Sequence, residues 1–225
     1  MTYPGGKNGS GVYQTIINQL PPHQVYIEPF LGAGAIMRLK RPARCSIGID
    51  IDSDVITAFN SDEIQNLTLI CTDALDFMVH NAIPDDALIY LDPPYLLETR
   101  SSKHPLYRFE MTGEQHETLL GIIRRLSCSI AISSYWSDLY GQALHDWRCV
   151  SYSARTRGGR IATEYLWMNY PEPLSLHDYR YLGANFRERE RIKRKIHRWN
   201  TKLNKMPVLE RQAILAAISM VTTPP

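Results

Sequence analysis

The sequence predicts an α/β fold: a doubly wound, mostly parallel sheet that closes with an antiparallel hairpin. Three observations predict it. Short apolar runs alternate with helical patterns as far as about residue 145. Two further β segments, near 147–154 and 163–170, follow without a helix between them, which indicates a hairpin. The chain then ends in two amphipathic segments, so we expect a basic helical hairpin at the C-terminus.

Each element has a local signal. The predicted parallel strands are apolar runs at 25–27, 46–50, 67–71, 87–91 and 129–133. The predicted helices lie at 11–20, 34–40, 53–61, 74–81, 113–126 and 137–145. The first helix ends before Pro21-Pro22, because proline cannot continue it. The connection over 96–112 is long for a strand-to-helix loop, and loops of this length are often functional.

Charge divides the chain into two regions. Residues 187–205 hold nine Lys or Arg and two Asp or Glu, a local net charge of +7. Since the whole chain carries +2, the remaining residues sum to −5. We expect a globular domain over 1–172 and a basic helical extension over 173–225. This distribution suits a polyanionic partner such as DNA.

The cysteines argue against a disulfide framework or a zinc site. Cys45, Cys71, Cys128 and Cys149 are scattered, and none forms a C-x-x-C pair. No apolar run approaches the length of a membrane span, so no membrane partner is expected. The expected location is the cytoplasm, where cysteines stay reduced.

Three features fall at the carboxyl ends of predicted strands, which is where open parallel sheets bind ligands. Gly32-Ala33-Gly34 follows the first strand, and its glycines would let a ligand approach the backbone. Asp50 ends the second strand, where a carboxylate can bind both hydroxyls of a ribose. Asp92 follows the fourth strand. Together they indicate a nucleoside-shaped pocket, although each alone also suits a tight turn or a strand-end cap.

The turn Asp92-Pro93-Pro94-Tyr95 suits a planar ring that carries an exocyclic amine. An amine that acts as a nucleophile must present its lone pair while acceptors hold its hydrogens. The Asp92 carboxylate can accept one hydrogen, a carbonyl of the proline pair can accept the other, and Tyr95 can stack on the ring. The same residues also fit a strand that ends in a plain turn, so alone they favour neither interpretation.

Taken in order, these segments resemble the Dam-like adenine-N6 DNA methyltransferases, which use S-adenosylmethionine, and the small size resembles phage-borne members. The resemblance covers roughly residues 1–170. It rests on Tyr3-Pro4-Gly5-Gly6-Lys7, Glu28-Pro29-Phe30-Leu31-Gly32-Ala33-Gly34, Ile49-Asp50-Ile51-Asp52-Ser53-Asp54, Asp73 and Asp92-Pro93-Pro94-Tyr95. It implies a Rossmann-like methyltransferase fold. It also implies direct methyl transfer to a flipped adenine, with S-adenosylhomocysteine as product and no metal.

The resemblance implies a role for each matching residue. The residues that hold the target adenine would be Asp92, Pro93, Pro94 and Tyr95. The residues that bind the cofactor would be Tyr3, Lys7, Glu28, Phe30, Gly32, Ala33, Gly34, Asp50, Ile51, Asp73 and Ala74. Within this set, Asp50 would accept hydrogen bonds from the ribose hydroxyls. Asp73 would contact the amino group of the cofactor's adenine.

The chain departs from the family where a recognition region is expected. Only 18 residues separate Asp73 from Asp92, and a helix and a strand use them. Base reading must therefore come from the 96–112 loop, the 155–160 turn or the tail, and we expect a short or relaxed sequence preference. The predicted nucleic-acid-binding residues are Lys103, Arg155, Arg157, Arg160, Arg191, Lys193, Arg194 and Lys195.

The tail combines an apolar face with a basic one. Ile192, Ile196, Trp199 and Leu203 fall at helical spacing, and 208–221 is a second amphipathic segment. The apolar face would pack on the globular domain or on a second subunit, so a homodimer stays open. The basic face is either solvated or bound to the DNA backbone, and the local charge of +7 favours the second interpretation.

Two other functions stay open. An RNA substrate such as ribosomal RNA would suit the same pocket, because an unpaired adenine needs no flipping from a duplex. A nucleic-acid-binding protein with a relic of the cofactor pocket is the other, although intact Lys7, Gly32, Asp50, Asp92 and Tyr95 disfavour it. Restriction–modification, phage self-protection and gene regulation are all compatible purposes.

Overall fold

A computed structural model describes residues 5–59, 64–101, 104–156 and 159–221. The predicted site residues Tyr3, Lys103 and Arg157 lie outside these ranges. The chain divides into a first unit that ends at Tyr179 and a second that begins at Arg180. None of the helices in the described ranges is long and apolar enough to cross a membrane.

The first unit is built on a seven-stranded sheet. Its strands are β1 (Val25–Glu28), β2 (Cys45–Asp50), β3 (Leu67–Cys71), β4 (Ala87–Leu91), β5 (Ser129–Ser134), β6 (Arg148–Arg155) and β7 (Ile161–Met168). Their order in the sheet is β3-β2-β1-β4-β5-β7-β6. Strands β1 to β5 are parallel, and β7 is antiparallel to both β5 and β6. The prediction of a mostly parallel sheet with an antiparallel closing hairpin is therefore confirmed.

Helices connect the parallel strands, and several are shorter than predicted. They are α1 (Val12–Ile17), α2 (Ala35–Leu39), α3 (Ser53–Ala58), α4 (Ala74–His80), α5 (Gly113–Ile123) and α6 (Asp138–Ala143). The N–H groups of Gln19 and Leu20 bond to carbonyls three residues back, so α1 tightens and ends at Ile17 rather than at residue 20. A similar bond from Arg125 to Ile122 closes α5 at Ile123 rather than at residue 126.

The core is centred on β4. All five of its residues are buried, as expected for a parallel strand that is covered on both faces. Ile89 and Leu91 belong to the same buried cluster as Ile130 and Ile132 of β5 and Leu119 of α5. The centre of the sheet thus gives a rigid base to whatever follows β4.

The parallel strands bring three acidic residues to the same edge of the sheet, at the carboxyl ends of the strands. Glu28 and Asp50 are the last residues of β1 and β2, and Asp92 directly follows β4. Strand β7 runs the other way, and Tyr165 pairs with Ser134 at the end of β5. Residues 161–164 therefore extend past that end by about 13 Å, at about 3.3 Å per residue. The β6–β7 hairpin projects beyond the edge at which the site residues lie.

The second unit contains two helices, α7 (Phe186–Lys205) and α8 (Val208–Val221). Asn185 caps α7, because its side chain accepts a hydrogen bond of 3.0 Å from the Glu188 N–H. Six cations of α7 recur at intervals of three or four residues and so share one side of the helix, namely Arg187, Arg191, Arg194, Arg198, Lys202 and Lys205. The predicted basic helical hairpin has the expected elements.

Candidate functional site

A cavity of about 310 Å³ opens at the carboxyl ends of β1, β2 and β4. The structure brings ten of the eleven predicted cofactor residues to its wall, the eleventh being Tyr3. The ten are Lys7, Glu28, Phe30, Gly32, Ala33, Gly34, Asp50, Ile51, Asp73 and Ala74. Of the predicted adenine-holding turn, Asp92 and Pro94 line the cavity, whereas Pro93 and Tyr95 do not.

The loop after β1 depends on its glycines. Gly32 and Gly34 have φ of 48° and 60°, in the left-handed region that favours glycine. A Cβ at Gly34 would also collide with the ring of Phe59. The Asp50 carboxylate clamps the loop, since its Oδ2 accepts from the Gly32 N–H at 2.9 Å and its Oδ1 from the Asp52 N–H at 2.9 Å. Burial raises the pKa of Asp50.

Asp73 has a similar double engagement. Its Oδ1 accepts from the N–H groups of Leu75 at 2.7 Å and Asp76 at 3.1 Å, which caps the N-terminus of α4. A carboxylate offers about four lone pairs, so Asp50 and Asp73 both keep acceptor capacity toward the cavity. The two carboxylates are therefore hydrogen-bond acceptors in the cavity wall, which suits hydroxyl groups and an amino group of a ligand.

The opposite wall is formed by residues 106–111 of the long loop after β4. Glu110 organises it: its carboxylate pairs with the Arg100 guanidinium through bonds of 2.8 and 2.6 Å. Glu110 also accepts from the N–H groups of Leu106 and Tyr107. Although burial opposes ionisation, these bonds lower the pKa of Glu110 to about 2. The length of the loop indicated function, but only the structure shows that this part lines the cavity.

Two contacts hold the loop against its neighbours. Arg108 bonds to Asp52 at 3.2 Å and to Asp54 at 2.9 Å, at the start of α3. The Tyr107 hydroxyl lies so close to Gly5 that a Cβ there would collide with it. Gly5 has a φ of 73°, so both its conformation and its contact require glycine.

The turn after β4 lies against a buried ammonium group, that of Lys7. Lys7 Nζ lies 2.9 Å from Asp92 Oδ1, 3.2 Å from Glu164 Oε2 and 3.3 Å from the Gly5 carbonyl. It also lies 4.9 Å from the centre of the Tyr95 ring. Burial disfavours the charge, but the two carboxylates outweigh it and raise the pKa of Lys7. Burial also raises the pKa of Asp92, which Lys7 opposes.

Glu164 on β7 is a site residue that the sequence analysis missed. In addition to Lys7, its Oε2 accepts from the hydroxyls of Tyr95 and Tyr152, each at 2.9 Å. A signal was present, because strand alternation puts Glu164 on the same face as the fully buried Leu166. An acidic residue at a core-facing strand position is uncommon unless it is paired.

Tyr95 is held at both ends of its ring. The hydroxyl donates to Glu164, and the ring meets Tyr135 edge-on with centres 4.7 Å apart and planes at 67°. Asp92 pairs with Lys7 through Oδ1, and a hydrogen bond with the Tyr95 side chain further offsets the rise that burial causes in the pKa of its carboxyl group. The turn therefore presents an oriented aromatic side chain beside a carboxylate.

The predicted nucleic-acid-binding residues fall in two places. Arg155 and Arg160 flank the tip of the β6–β7 hairpin, where the Thr156 N–H bonds to the Arg160 carbonyl at 2.8 Å. Arg191, Lys193, Arg194 and Lys195 are exposed on α7 in the second unit. The structure thus puts one group at the edge that carries the cavity and the other on a separate unit.

Comparison with known proteins finds a family match for part of the chain. Residues 57–139 match the family model of D12 class N6 adenine-specific DNA methyltransferases. This segment is therefore similar to that family, and it contains Asp73, Asp92 and Tyr95. No curated protein matches the chain.

Two solved structures of low sequence identity share the fold of this chain, and a third is less similar. PH1948 from Pyrococcus horikoshii, described as a candidate RNA methyltransferase, has a TM-score of 0.52 at 11% identity, over 74% of this chain and 86% of that one. The 23S rRNA methyltransferase ErmE has a TM-score of 0.50 at 14% identity, over 97% and 89%. SMU.1697c from Streptococcus mutans, a candidate methyltransferase solved with SAH, has a TM-score of 0.45 at 14% identity, over 71% and 95%.

We expect Glu28 to make the stability of the protein depend on pH. Its carboxyl group is buried at the end of β1, accepts from the Tyr26 hydroxyl at 2.9 Å and lines the cavity. Burial raises the pKa of Glu28 from 4.5 to about 8. Between pH 4.5 and about pH 8 the folded state keeps a proton on Glu28 that the unfolded state has lost. The stability that the protonated Glu28 contributes is therefore complete below about pH 4.5 and is lost as the pH rises through about 8.

We expect Glu28→Gln, which mimics the protonated acid, to match the wild type near pH 5 and to be increasingly more stable toward pH 8. The free energy of unfolding in urea, measured on the cofactor-free protein across this range, checks the prediction. Glu117→Gln, at an exposed position of α5, is the matched control and should show no such trend. A difference between Glu28→Gln and wild type that stays constant with pH would contradict the assignment.

We expect Glu164→Ala to lower kcat by at least about tenfold and to destabilise the fold, because removing one partner of a buried ion pair costs about 3–5 kcal/mol. The KM for S-adenosylmethionine should change little, since Glu164 does not line the cavity. Glu164→Gln should recover part of the kcat, as its amide oxygen can still accept from the Tyr95 hydroxyl. Steady-state kinetics with the exposed variant Glu172→Ala as control decide it. An unchanged kcat in Glu164→Ala would refute the positioning role.

Proposed function

We propose that this protein methylates the N6 amine of an adenine that is flipped out of DNA. The supporting observation is the position of Asp92: it follows the central buried strand, lines the cavity and is oriented by Lys7, which contacts its Oδ1 at 2.9 Å. The D12 family match points to the same base and the same atom. A flipped base loses its stacking, and the oriented Tyr95 ring could replace part of it.

The residues of the chain fit the cofactor, since glycines shape the loop after β1 and the acceptors Asp50 and Asp73 line the cavity. When bound, S-adenosylmethionine supplies a methyl carbon that its sulfonium already activates. The protein then has to hold the amine. Asp92 accepts one of its hydrogens and stabilises the positive charge that develops on nitrogen, while Lys7 and Glu164 fix the orientation of the turn.

We further propose that the sequence preference is short or relaxed. The segment 74–91, where relatives carry a recognition region, contains only α4, β4 and their short connection. Recognition would then fall to the β6–β7 hairpin and the basic helix. Such contacts reach phosphates more readily than base edges, which supports low sequence selectivity.

RNA is the second candidate substrate. The two neighbours with TM-scores of 0.50 and 0.52 are named for 23S rRNA and for RNA. The fold they share is compatible with either polymer, whereas the family description names DNA.

Methylation mapping tests the substrate. The protein is incubated with labelled S-adenosylmethionine and duplex DNA, single-stranded DNA or RNA of matched sequence, and the products are digested and mapped. We expect N6-methyladenine in DNA at many short sequence contexts. Labelling of RNA alone would overturn the DNA proposal, and labelling confined to a site of four or more fixed bases would overturn the relaxed preference.

Asp92→Ala should abolish methyl transfer, because the amine loses its acceptor, while cofactor affinity changes little. Calorimetric titration with S-adenosylmethionine and a single-turnover assay separate the two effects. Asp86→Ala is a matched control, since Asp86 is exposed and precedes β4 at the opposite end of the strand. Methyl transfer by Asp92→Ala at the wild-type rate would rule out the proposed chemistry.

Replacement of Arg191, Lys193, Arg194 and Lys195 by Ala should weaken DNA binding equally on all sequences. Each lost phosphate contact reduces the slope of log K against log salt by about 0.9, so the quadruple variant should have a slope smaller by up to about 4. Fluorescence anisotropy at several salt concentrations measures it, with the exposed Arg44→Ala as control. An unchanged slope would assign α7 to packing instead.

A further inference from the structure

One face of the β6–β7 hairpin is exposed, and the other is buried. Directly paired residues of two strands point to the same face of a sheet. The pairs Ser151–Tyr165, Ser153–Thr163 and Arg155–Ile161 alternate with the pairs Tyr152–Glu164 and Ala154–Ala162. We call the first set of residues the hairpin face. Its members offer three hydroxyl groups from Ser and Thr, a phenol and a guanidinium, and no carboxylate.

Trp136 stands at the base of the hairpin face. Its ring centre lies 5.4 Å from that of Tyr165 and 5.4 Å from that of Trp167. A Cβ at Gly141 would come within 3.1 Å of the Trp136 ring, so the glycine lets the indole pack closely on α6. The side chain is nevertheless 51% exposed. It is thus a supported ring with an open surface.

The hairpin face approaches the turn after β4 at its base, whereas Glu164, which holds Tyr95, belongs to the opposite, buried face. Tyr135, the residue before Trp136, meets the Tyr95 ring at 4.7 Å. From Tyr165 the face runs four residues outward to Ile161, about 13 Å past the end of β5, and ends beside Arg155. A chain that leaves the adenine site over this edge would first cross the indole and then the hydroxyls and the guanidinium.

We propose that the hairpin face binds the single-stranded segment on which the target adenine lies, with an unpaired neighbouring base stacked on Trp136. This deepens the proposed function and rests on it. An indole stacks on any base, hydroxyls and arginine contact phosphates, and no carboxylate of this face repels them. Stacking hardly distinguishes one base from another, which agrees with a relaxed sequence preference.

Trp136→Leu removes the aromatic surface and keeps an apolar side chain. One base–aromatic stack corresponds to about a 5- to 150-fold change in Kd. We therefore expect Trp136→Leu to raise the Kd for a fluorescein-labelled, adenine-containing single-stranded oligonucleotide by at least about fivefold, in the presence of S-adenosylhomocysteine. Trp136→Phe, which keeps a ring, should stay within about threefold of the wild type. The control is Tyr179→Leu, because Tyr179 is an aromatic residue of the same 51% exposure.

A second variant keeps the test decisive if Trp136→Leu disturbs packing on α6. Thr163→Glu adds a carboxylate at an exposed strand position of the hairpin face, where the fold should tolerate it. It should raise the Kd by about tenfold through repulsion of phosphates, and added salt should reduce the effect. Wild-type affinity in both Trp136→Leu and Thr163→Glu would overturn the proposal.

The two proposals fail differently. If the wild type methylates adenine in DNA but these variants bind DNA normally, the hairpin face is not the binding surface and the proposed function stands. If the wild type binds the oligonucleotide through Trp136 but transfers no methyl group to adenine, the hairpin face stands and the proposed function fails.

Discussion

The ammonium group of Lys7 is the interaction on which the site depends. It is buried, and the desolvation of such a group is unfavourable by several kcal/mol unless partners offset it. Asp92, Glu164 and the Tyr95 ring together supply that compensation. These partners come from the turn after β4 and from β7, so a single charge joins the N-terminal segment to two distant parts of the sheet.

This clamp explains why the closing hairpin matters to the chemistry. Tyr165 of β7 pairs with the last residue of β5. Because β7 is antiparallel to β5, Glu164, the residue before Tyr165, lies just beyond that end of β5 and reaches the turn after β4. If β7 were parallel to β5, its carboxyl end would lie near the turn after β4 instead. The reversal of β7 thus supplies both the acid that orients Tyr95 and the surface that extends beyond the edge.

The fold and the cavity residues could be predicted because their signals are local. Strand β4 appears as a continuous apolar run, and Gly32, Asp50, Asp73 and Asp92 each lie at the end of a strand or shortly after it. Glu164 could not be assigned in this way, since its contact with Lys7 spans 157 positions and no local pattern shows which lysine neutralises a buried acid. The sequence did not show that residues 106–111 line the cavity, for a related reason. Arg100 and Glu110 shape this segment through side-chain hydrogen bonds within an irregular loop.

The carboxylates of the cavity fall into two kinds. Asp50 and Asp73 already accept backbone N–H groups that shape the loop after β1 and the start of α4, so a descendant that had lost its activity would still need them in order to fold. Lys7 and Glu164 are buried and Asp92 is partly buried, so this group of charges is costly for the fold to keep. Among related chains, Asp50 and Asp73 would therefore be retained by active and inactive members alike. Intact Lys7, Asp92 and Glu164 would distinguish the members that still convert substrate.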